Sequence, residues 1–188
     1  MFIKKRKFHG VYEIILNPIS DSRGLFMRTL DKKIFKKNSI PTNWVQENLS
    51  LTKKMGTIRG LHIQSSLFCE AKLIQVVKGS IFDVFVDLRK ESKTFCQFDC
   101  IILTENNYKS ILLPKGIAHG FCTLTDDCIV LYKMDNYYNP LHSKGIIWND
   151  QSLKINWPVD SPIISEKDQN LPSLEEYLKK YKLSKMYK

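Results

Sequence analysis

Between residues 72 and 133 the chain is cut into short strand-like runs separated by turn residues, and this restricts the fold more than any other feature. Residues 72–77 lead into the turn signal Lys78-Gly79-Ser80. Residues 81–88 follow, with Phe82, Val84, Val86 and Leu88 on one face and Asp83, Phe85 and Asp87 on the other. Further runs occupy residues 98–103, 110–113, 120–124 and 128–133. Short strands recurring every roughly 8–12 residues, with turn signals between them, predict an all-β sandwich or barrel. Strands do not alternate with long helical patterns, which disfavours a doubly wound sheet. Helices are few. A short one is predicted over residues 31–37. A second is predicted near the C-terminus, where Ser173 and Glu176 form a capping box and Leu174, Tyr177, Leu178 and Tyr181 share a face.

A length of 188 residues suits one domain with its own core. The expected organisation is a single unit over residues 1–188, with a core of about 10–158 and a C-terminal segment of 159–188. The 43% hydrophobic content, with 10 Phe and 8 Tyr, excludes disorder as the main state. No apolar run approaches the roughly 18 residues of a membrane helix. The basic residues 4–7 precede a short apolar stretch broken by Glu13, which predicts no secretory leader. Five cysteines, an odd count without a CxxC pair, predict reduced thiols in a cytoplasmic protein. Cys96, Cys100, Cys122 and Cys128 lack the close-paired spacing of a zinc site.

The chain carries 29 Lys+Arg against 19 Asp+Glu, a net charge of +10. The excess is clustered at residues 4–7, at Lys32, Lys33, Lys36 and Lys37, and at residues 179–188. No helix-turn-helix, zinc-finger or RNA-binding aromatic motif accompanies these clusters, so nucleic acid is not the expected partner. A solvated lysine-rich surface and a basic cleft for a phosphorylated small molecule remain.

Of four histidines, His62 and His119 follow strand-like runs in glycine-containing segments that let a ligand approach the backbone closely. Pro114, Gly116 and His119 have the P-x-G-x-x-H spacing of the second motif of the cupin superfamily. The first motif of metal-binding cupins carries H-x-H and a nearby Glu; this chain has His62-Ile63-Gln64 and Glu70. Glutamine is a poor replacement for imidazole at a divalent metal, so a metal-free site is expected. A metal-dependent cupin using His62, His119 and Glu70 is the competing enzyme. A basic sugar- or nucleic-acid-binding module is the non-enzymatic alternative.

Taken in order, the segments Asp21-Ser22-Arg23-Gly24-Leu25-Phe26, Val45-Gln46-Glu47-Asn48, Ile58-Arg59-Gly60-Leu61-His62-Ile63-Gln64 and Lys72-Leu73-Ile74 resemble the nucleoside-diphosphate 4-keto-6-deoxysugar 3,5-epimerase family. The resemblance continues through residues 83–89 and 114–121, Tyr132-Lys133, Tyr137-Tyr138-Asn139-Pro140, Trp148-Asn149-Asp150 and Ser165-Glu166-Lys167-Asp168. It implies a cupin-type double-stranded β-helix, a jelly-roll barrel with a few short helices. It also implies a homodimer with exchanged N-terminal strands, and chemistry without metal or cofactor. The implied substrate is a nucleoside-diphosphate 4-keto-6-deoxyhexose inverted at C3, C5 or both, in deoxysugar supply for surface polysaccharide. The same chemistry on a dTDP-, CDP-, UDP- or GDP-linked sugar stays open.

By resemblance His62 is the base, Asp168 its carboxylate partner, Lys72 the cation near the 4-keto oxygen and Tyr132 the proton donor. These residue types suit the chemistry. Histidine titrates near neutral pH, a carboxylate holds its tautomer, and a cation favours an enolate over a ketone. On an extended strand Cys128, Val130 and Tyr132 point the same way. His119 is implied to position the sugar, and Arg23 and Arg59 to face substrate and diphosphate, where a guanidinium fork suits phosphate oxygens. Arg28, Gln46, Asn48, Tyr138 and Lys167 complete the implied binding set. Arg23 is expected to serve the neighbouring subunit's site. The chain departs from the family pattern at Arg28, Ser65 and Ser143, positions expected to bear on the substrate's distal parts. One geometric conflict stands out: Arg59 and His62 are three apart, so a regular strand would place them on opposite faces unless a bulge intervenes.

Overall fold

The structure, a computed structural model, describes residues 1–41 and 43–181. The chain opens with an antiparallel hairpin of β1 (Phe2–Lys5) and β2 (Tyr12–Ile15), then a second of β3 (Ile19–Asp21) and β4 (Gly24–Phe26). Helix α1 (Lys32–Lys37) precedes β5 (Gln46–Thr52) and β6 (Thr57–Gln64). The strand-rich stretch expected from the sequence then forms β7 (Lys72–Lys78), β8 (Ser80–Asp87), β9 (Phe98–Thr104), β10 (Lys109–Leu113), β11 (Ile117–Thr123) and β12 (Cys128–Met134). The C-terminal part adds β13 (Ser143–Gly145), β14 (Ile163–Ile164), α2 (Glu166–Gln169) and α3 (Leu174–Tyr181).

One six-stranded sheet has the order β1-β2-β10-β7-β12-β5; the other runs β13-β6-β11-β8-β9, with β14 parallel to β6. Successive strands such as β7 and β8 therefore lie in opposite sheets, and the result is the cupin-type jelly-roll barrel. Ile74, Val76, Phe85, Ile111, Leu113, Phe121 and Val130, drawn from both sheets, form the barrel core. Each such side chain, once buried, contributes about 1.5–3 kcal/mol.

Strand β8 is buried on both faces. Phe85 enters the barrel core, while Val84, Val86 and Leu88 face outward against Trp157, Leu174 and Tyr177 of the C-terminal segment. That second apolar layer clamps the C-terminal segment to the barrel. Helix α3 starts as its capping box predicts: the Ser173 N–H donates to Glu176 Oε2 (2.8 Å) and the Glu176 N–H to Ser173 Oγ (3.2 Å). The remaining residues of the terminal lysine cluster, 182–188, lie outside the described residues.

Several strand bounds shift by one residue from the sequence expectation, and two differences have a clear physical cause. Asp31 is the cap of α1 rather than part of it, accepting from the N–H groups of Lys33 and Ile34. Strand β11 begins at Ile117, because the turn ends at Gly116 and not at Gly120. Among the described residues no helix is long and apolar enough to cross a membrane.

Candidate active site

The barrel interior is apolar over much of its length and opens into a cavity of about 510 Å³. Its wall follows from strand alternation. Gln46, Asn48 and Ser50 of β5 point in, while Leu49 and Leu51 point out. On β12 the row Cys128, Val130, Tyr132 passes from the core to the cavity and ends at Met134. On β7, Ile74 and Val76 join the core and Lys72 lines the cavity.

Strand β6 supplies both Arg59 and His62 to the wall, despite their odd separation. Across the β6–β11 pair His62 faces His119 and Arg59 faces Phe121, so two residues of β6 stand opposite one of β11. This is the β-bulge that resolves the conflict seen in the sequence. Gly60 occupies it at φ +126°, and a Cβ there would lie 2.5 Å from the Gly120 Cα. A glycine on each strand is what lets the two backbones close at this point.

The C-terminal segment brings the carboxylate. β14 runs parallel to the start of β6, and Ser165 caps α2 by accepting from the Asp168 N–H at 3.2 Å. Asp168 Oδ1 lies 2.7 Å from His62 Nε2, and Oδ2 accepts from the Gly60 N–H at 3.1 Å. Burial pushes the Asp168 carboxyl up, but the hydrogen bond and charge of His62 and the Gly60 N–H outweigh it and hold the group below its ordinary range. Asp168 is thus an ionised partner at neutral pH, able to hold the imidazole in one orientation.

A second histidine–carboxylate pair stands beside the first. His119 Nε2 lies 2.7 Å from Asp83 Oδ2, and Asp83 is fully buried on β8. Burial pushes the Asp83 carboxyl up, and the charge and hydrogen bond of His119 offset only part of that. Burial also pushes the Tyr132 phenol up, with Arg59 pulling it partly back, so the hydroxyl keeps its proton at neutral pH. Lys72 Nζ donates to Glu70 Oε1 at 2.8 Å.

The cavity brings together Gln46, Asn48, Arg59, His62, Lys72, His119, Tyr132, Tyr138, Lys167 and Asp168, as the sequence reading expected. Tyr138 is seated by its N–H donating to Gln46 Oε1 at 2.9 Å. Arg23 and Arg28 are not among the lining residues. Arg23 lies at the turn of the β3–β4 hairpin, with its side chain 87% exposed and paired with Asp21, and Arg28 pairs with Asp31. Of the three departures from the family pattern, only Ser143 lines the cavity; Ser65 is buried outside it.

The sequence reading did not anticipate the contacts of Asp83 with His119 and of Glu70 with Lys72. An aspartate inside the apolar run of residues 81–88 was the available signal for Asp83, since a buried carboxylate requires a partner. Glu70 was weighed as a metal ligand, but the three candidate ligands each face a different partner: His62 faces Asp168, His119 faces Asp83 and Glu70 faces Lys72. Among the described residues no group of three His, Cys, Asp or Glu side chains is arranged to hold a metal ion.

Comparison with known proteins gives a consistent picture. The family profile described as dTDP-4-dehydrorhamnose 3,5-epimerase matches residues 5–176. The enzyme of that name from Methanothermobacter thermautotrophicus is 43% identical over 168 residues, 87% of this chain and 90% of its own. The crystal structure of the Bacillus anthracis dTDP-4-dehydrorhamnose 3,5-epimerase with TDP and PPi bound superposes with a TM-score of 0.90 at 44% identity, covering 92% of this chain and 99% of that one. A Legionella pneumophila 3,5-epimerase in complex with dTDP-4-keto-L-rhamnose gives 0.87 at 34% identity, covering 93% of each chain.

Proposed function

The chain belongs to the dTDP-4-dehydrorhamnose 3,5-epimerase family and is a sugar-nucleotide epimerase of deoxysugar biosynthesis; from that premise we propose that it inverts C3, C5 or both of a nucleoside-diphosphate 4-keto-6-deoxyhexose through an enolate. The observation that carries this reading is the 2.7 Å His62–Asp168 pair, in one cavity with Lys72 and Tyr132. With Nε2–H donated to Asp168, the lone pair of His62 sits on Nδ1, which takes the proton from the carbon beside the ketone. The electrons of that C–H bond move to the 4-keto oxygen, where the Lys72 ammonium stabilises the negative charge more in the transition state than in the ketone. Tyr132 then donates its phenolic proton to the opposite face of the carbon. Solvent takes the proton from His62 and returns one to Tyr132, so the enzyme is restored. His119, oriented by Asp83, positions the sugar. Arg59 and Lys167 serve the diphosphate end, with Gln46, Asn48 and Tyr138 along the wall.

The proposal treats residues 1–188 as one epimerase domain that acts in the cytoplasm as a homodimer and feeds surface-polysaccharide assembly. Ile19, Leu25 and Phe26 are exposed on the same hairpin as Arg23, a concentration of apolar surface that suits an interface. In this dimer Arg23 and Arg28 serve the neighbour's site through exchanged N-terminal strands. TDP is bound in the Bacillus anthracis relative and dTDP-4-keto-L-rhamnose in the Legionella pneumophila one, and the substrate proposed here carries dTDP.

Tyr132→Phe tests the two-sided chemistry. In deuterated solvent the wild-type enzyme takes up deuterium at the epimerised carbon and yields inverted product. Tyr132→Phe is expected to keep measurable exchange, because His62 still removes and returns the proton on one face, while net inversion falls by roughly 10²-fold or more. Equal loss of exchange and inversion would remove Tyr132 from the donor role.

A further inference from the structure

Lys72 is a cation in an unusual position. Its side chain is only 10% exposed and that of its partner Glu70 only 3%, so both charges have been taken out of water. Such a pair is not simple stabilisation, since the desolvation penalty can exceed the attraction. We propose that Glu70 is a positioning residue that aims Lys72 at the substrate's keto oxygen, and that Gln64 locks Glu70 in place. The proposal rests on the enolate reading of Lys72 given above.

The geometry of Gln64 supplies the argument. Its Oε1 accepts from the Asn139 N–H at 2.6 Å. Its Nε2 faces the carbonyl oxygens of Phe68 (3.0 Å) and Tyr137 (3.1 Å). An amide flanked by an N–H on one side and two carbonyls on the other can adopt only one orientation. The two Nε2 hydrogens of Gln64 are shared among three acceptors, these two carbonyls and Glu70 Oε2 at 3.1 Å, so the amide turns its nitrogen and not its oxygen toward residue 70. Glu70 therefore meets N–H groups on both oxygens, a shared Gln64 hydrogen on Oε2 and the Lys72 ammonium on Oε1. Only a carboxylate offers two acceptor oxygens and no donor. Glu70 and Lys72 are two apart on an extended segment, which puts both on the cavity side. Lys72 Nζ is left 3.5 Å from the His62 carbonyl, so the same lock sets the cation beside the proposed base.

The lock also reaches the cavity rim. Gln64 holds the backbone at Tyr137 and Asn139, on either side of Tyr138, which lines the cavity. Lys72 and the Tyr138 segment therefore share one amide as their reference point. A residue acting only on the oxyanion cation should change turnover and leave ground-state binding alone.

The test is a double-mutant cycle on Glu70 and Lys72, read as deuterium exchange and as kcat and KM on the keto sugar. Glu70→Gln keeps volume but offers a donor where an acceptor is needed. It is expected to lower kcat about tenfold while KM moves less than about twofold. Lys72→Met alone should lower exchange on the order of 10²-fold. In the Lys72→Met background, Glu70→Gln should lower it no further, because Glu70 acts through Lys72. The double variant removes both charges together and leaves no uncompensated buried ion, so its exchange rate against Glu70→Gln still reports the loss of Lys72 if Lys72→Met alone folds poorly. The same loss from Glu70→Gln in both backgrounds would overturn the positioning role and leave Lys72's role intact. An unchanged exchange rate in Lys72→Met would overturn both.

Discussion

Replacing His62 with alanine is expected to lower solvent-deuterium exchange at the epimerised carbon by on the order of 10³-fold, within the range that a positioned general base supplies. Two features of the structure support His62 as the proposed base. The first is Asp168, fixed by both oxygens and kept ionised, which orients the imidazole. The second is the separate engagement of His119 with buried Asp83, which gives that ring a partner of its own and a different place in the cavity. After the substitution Asp168 still accepts from the Gly60 N–H, so the C-terminal segment keeps its anchor and its apolar contacts. The imidazole is nevertheless one partner of a buried carboxylate, so the thermal unfolding midpoint is expected to fall by several degrees while the fold is kept and exchange is lost. Exchange retained at more than about a tenth of the wild-type rate would mean that another group is the base.

Gly60→Ala is expected to be as damaging by a different route. The new Cβ would stand 2.5 Å from the Gly120 Cα and 2.8 Å from the His119 carbonyl oxygen, both backbone atoms that cannot swing aside. It would also sit at φ +126°, a conformation that L side chains rarely adopt. Overpacking and strain together predict a loss of roughly 3–5 kcal/mol, a midpoint lowered by roughly 10 °C, and loss of the register that turns Arg59 and His62 to one side. Gly24→Ala is the control. Gly24 has φ +127° but nothing of its own chain within 4 Å of its Cβ position, so within one chain that variant adds strain without overpacking. Equal destabilisation by the two would show that the close β6–β11 approach adds nothing.

How much of this was legible in the sequence differs from residue to residue. The strands from β7 to β12 were visible because short apolar runs and turn residues alternate there. Before residue 72, β1 and β2 are only four residues each and β3 and β4 only three, too short for alternation to show, while in β5 and β6 the polar and glycine residues at the cavity interrupt the apolar pattern. Alternation on β8 separated the two faces correctly but could not say which faced inward. The aspartate-bearing face turned out to be the inner one, because the C-terminal segment covers the other. Gly60 was the visible sign of the bulge, and the bulge is what brings Arg59 to the cavity. Asp168 is 106 residues from His62, and neither composition nor periodicity could have joined them; only the family resemblance did. Glu70 was weighed only as a ligand of the competing metal-dependent enzyme, and its pairing with Lys72 was not considered. An acid two residues from a lysine on a strand is a neighbour of that lysine first, and a metal ligand only if further ligands converge on it.

The charge of the chain changes meaning in this light. Arg59, Lys72 and Lys167 line the cavity, while Arg23 and the lysines of α1 do not. Few of the positive charges line the cavity; Arg6 and Arg89 are largely buried in ion pairs with Asp99 and Asp87, and lysines such as Lys53 and Lys54 are solvated surface.

The most direct measurement is proton NMR of the product formed in deuterated solvent from dTDP-, CDP-, UDP- and GDP-linked 4-keto-6-deoxyhexoses. Deuterium entering C3, C5 or both of the dTDP-linked sugar, with inversion at the labelled carbon, is the expected result. No exchange at either carbon with any of the four sugars would show that the cavity does not perform enolate chemistry on a keto sugar, and the proposed roles of His62, Lys72 and Tyr132 would fall together.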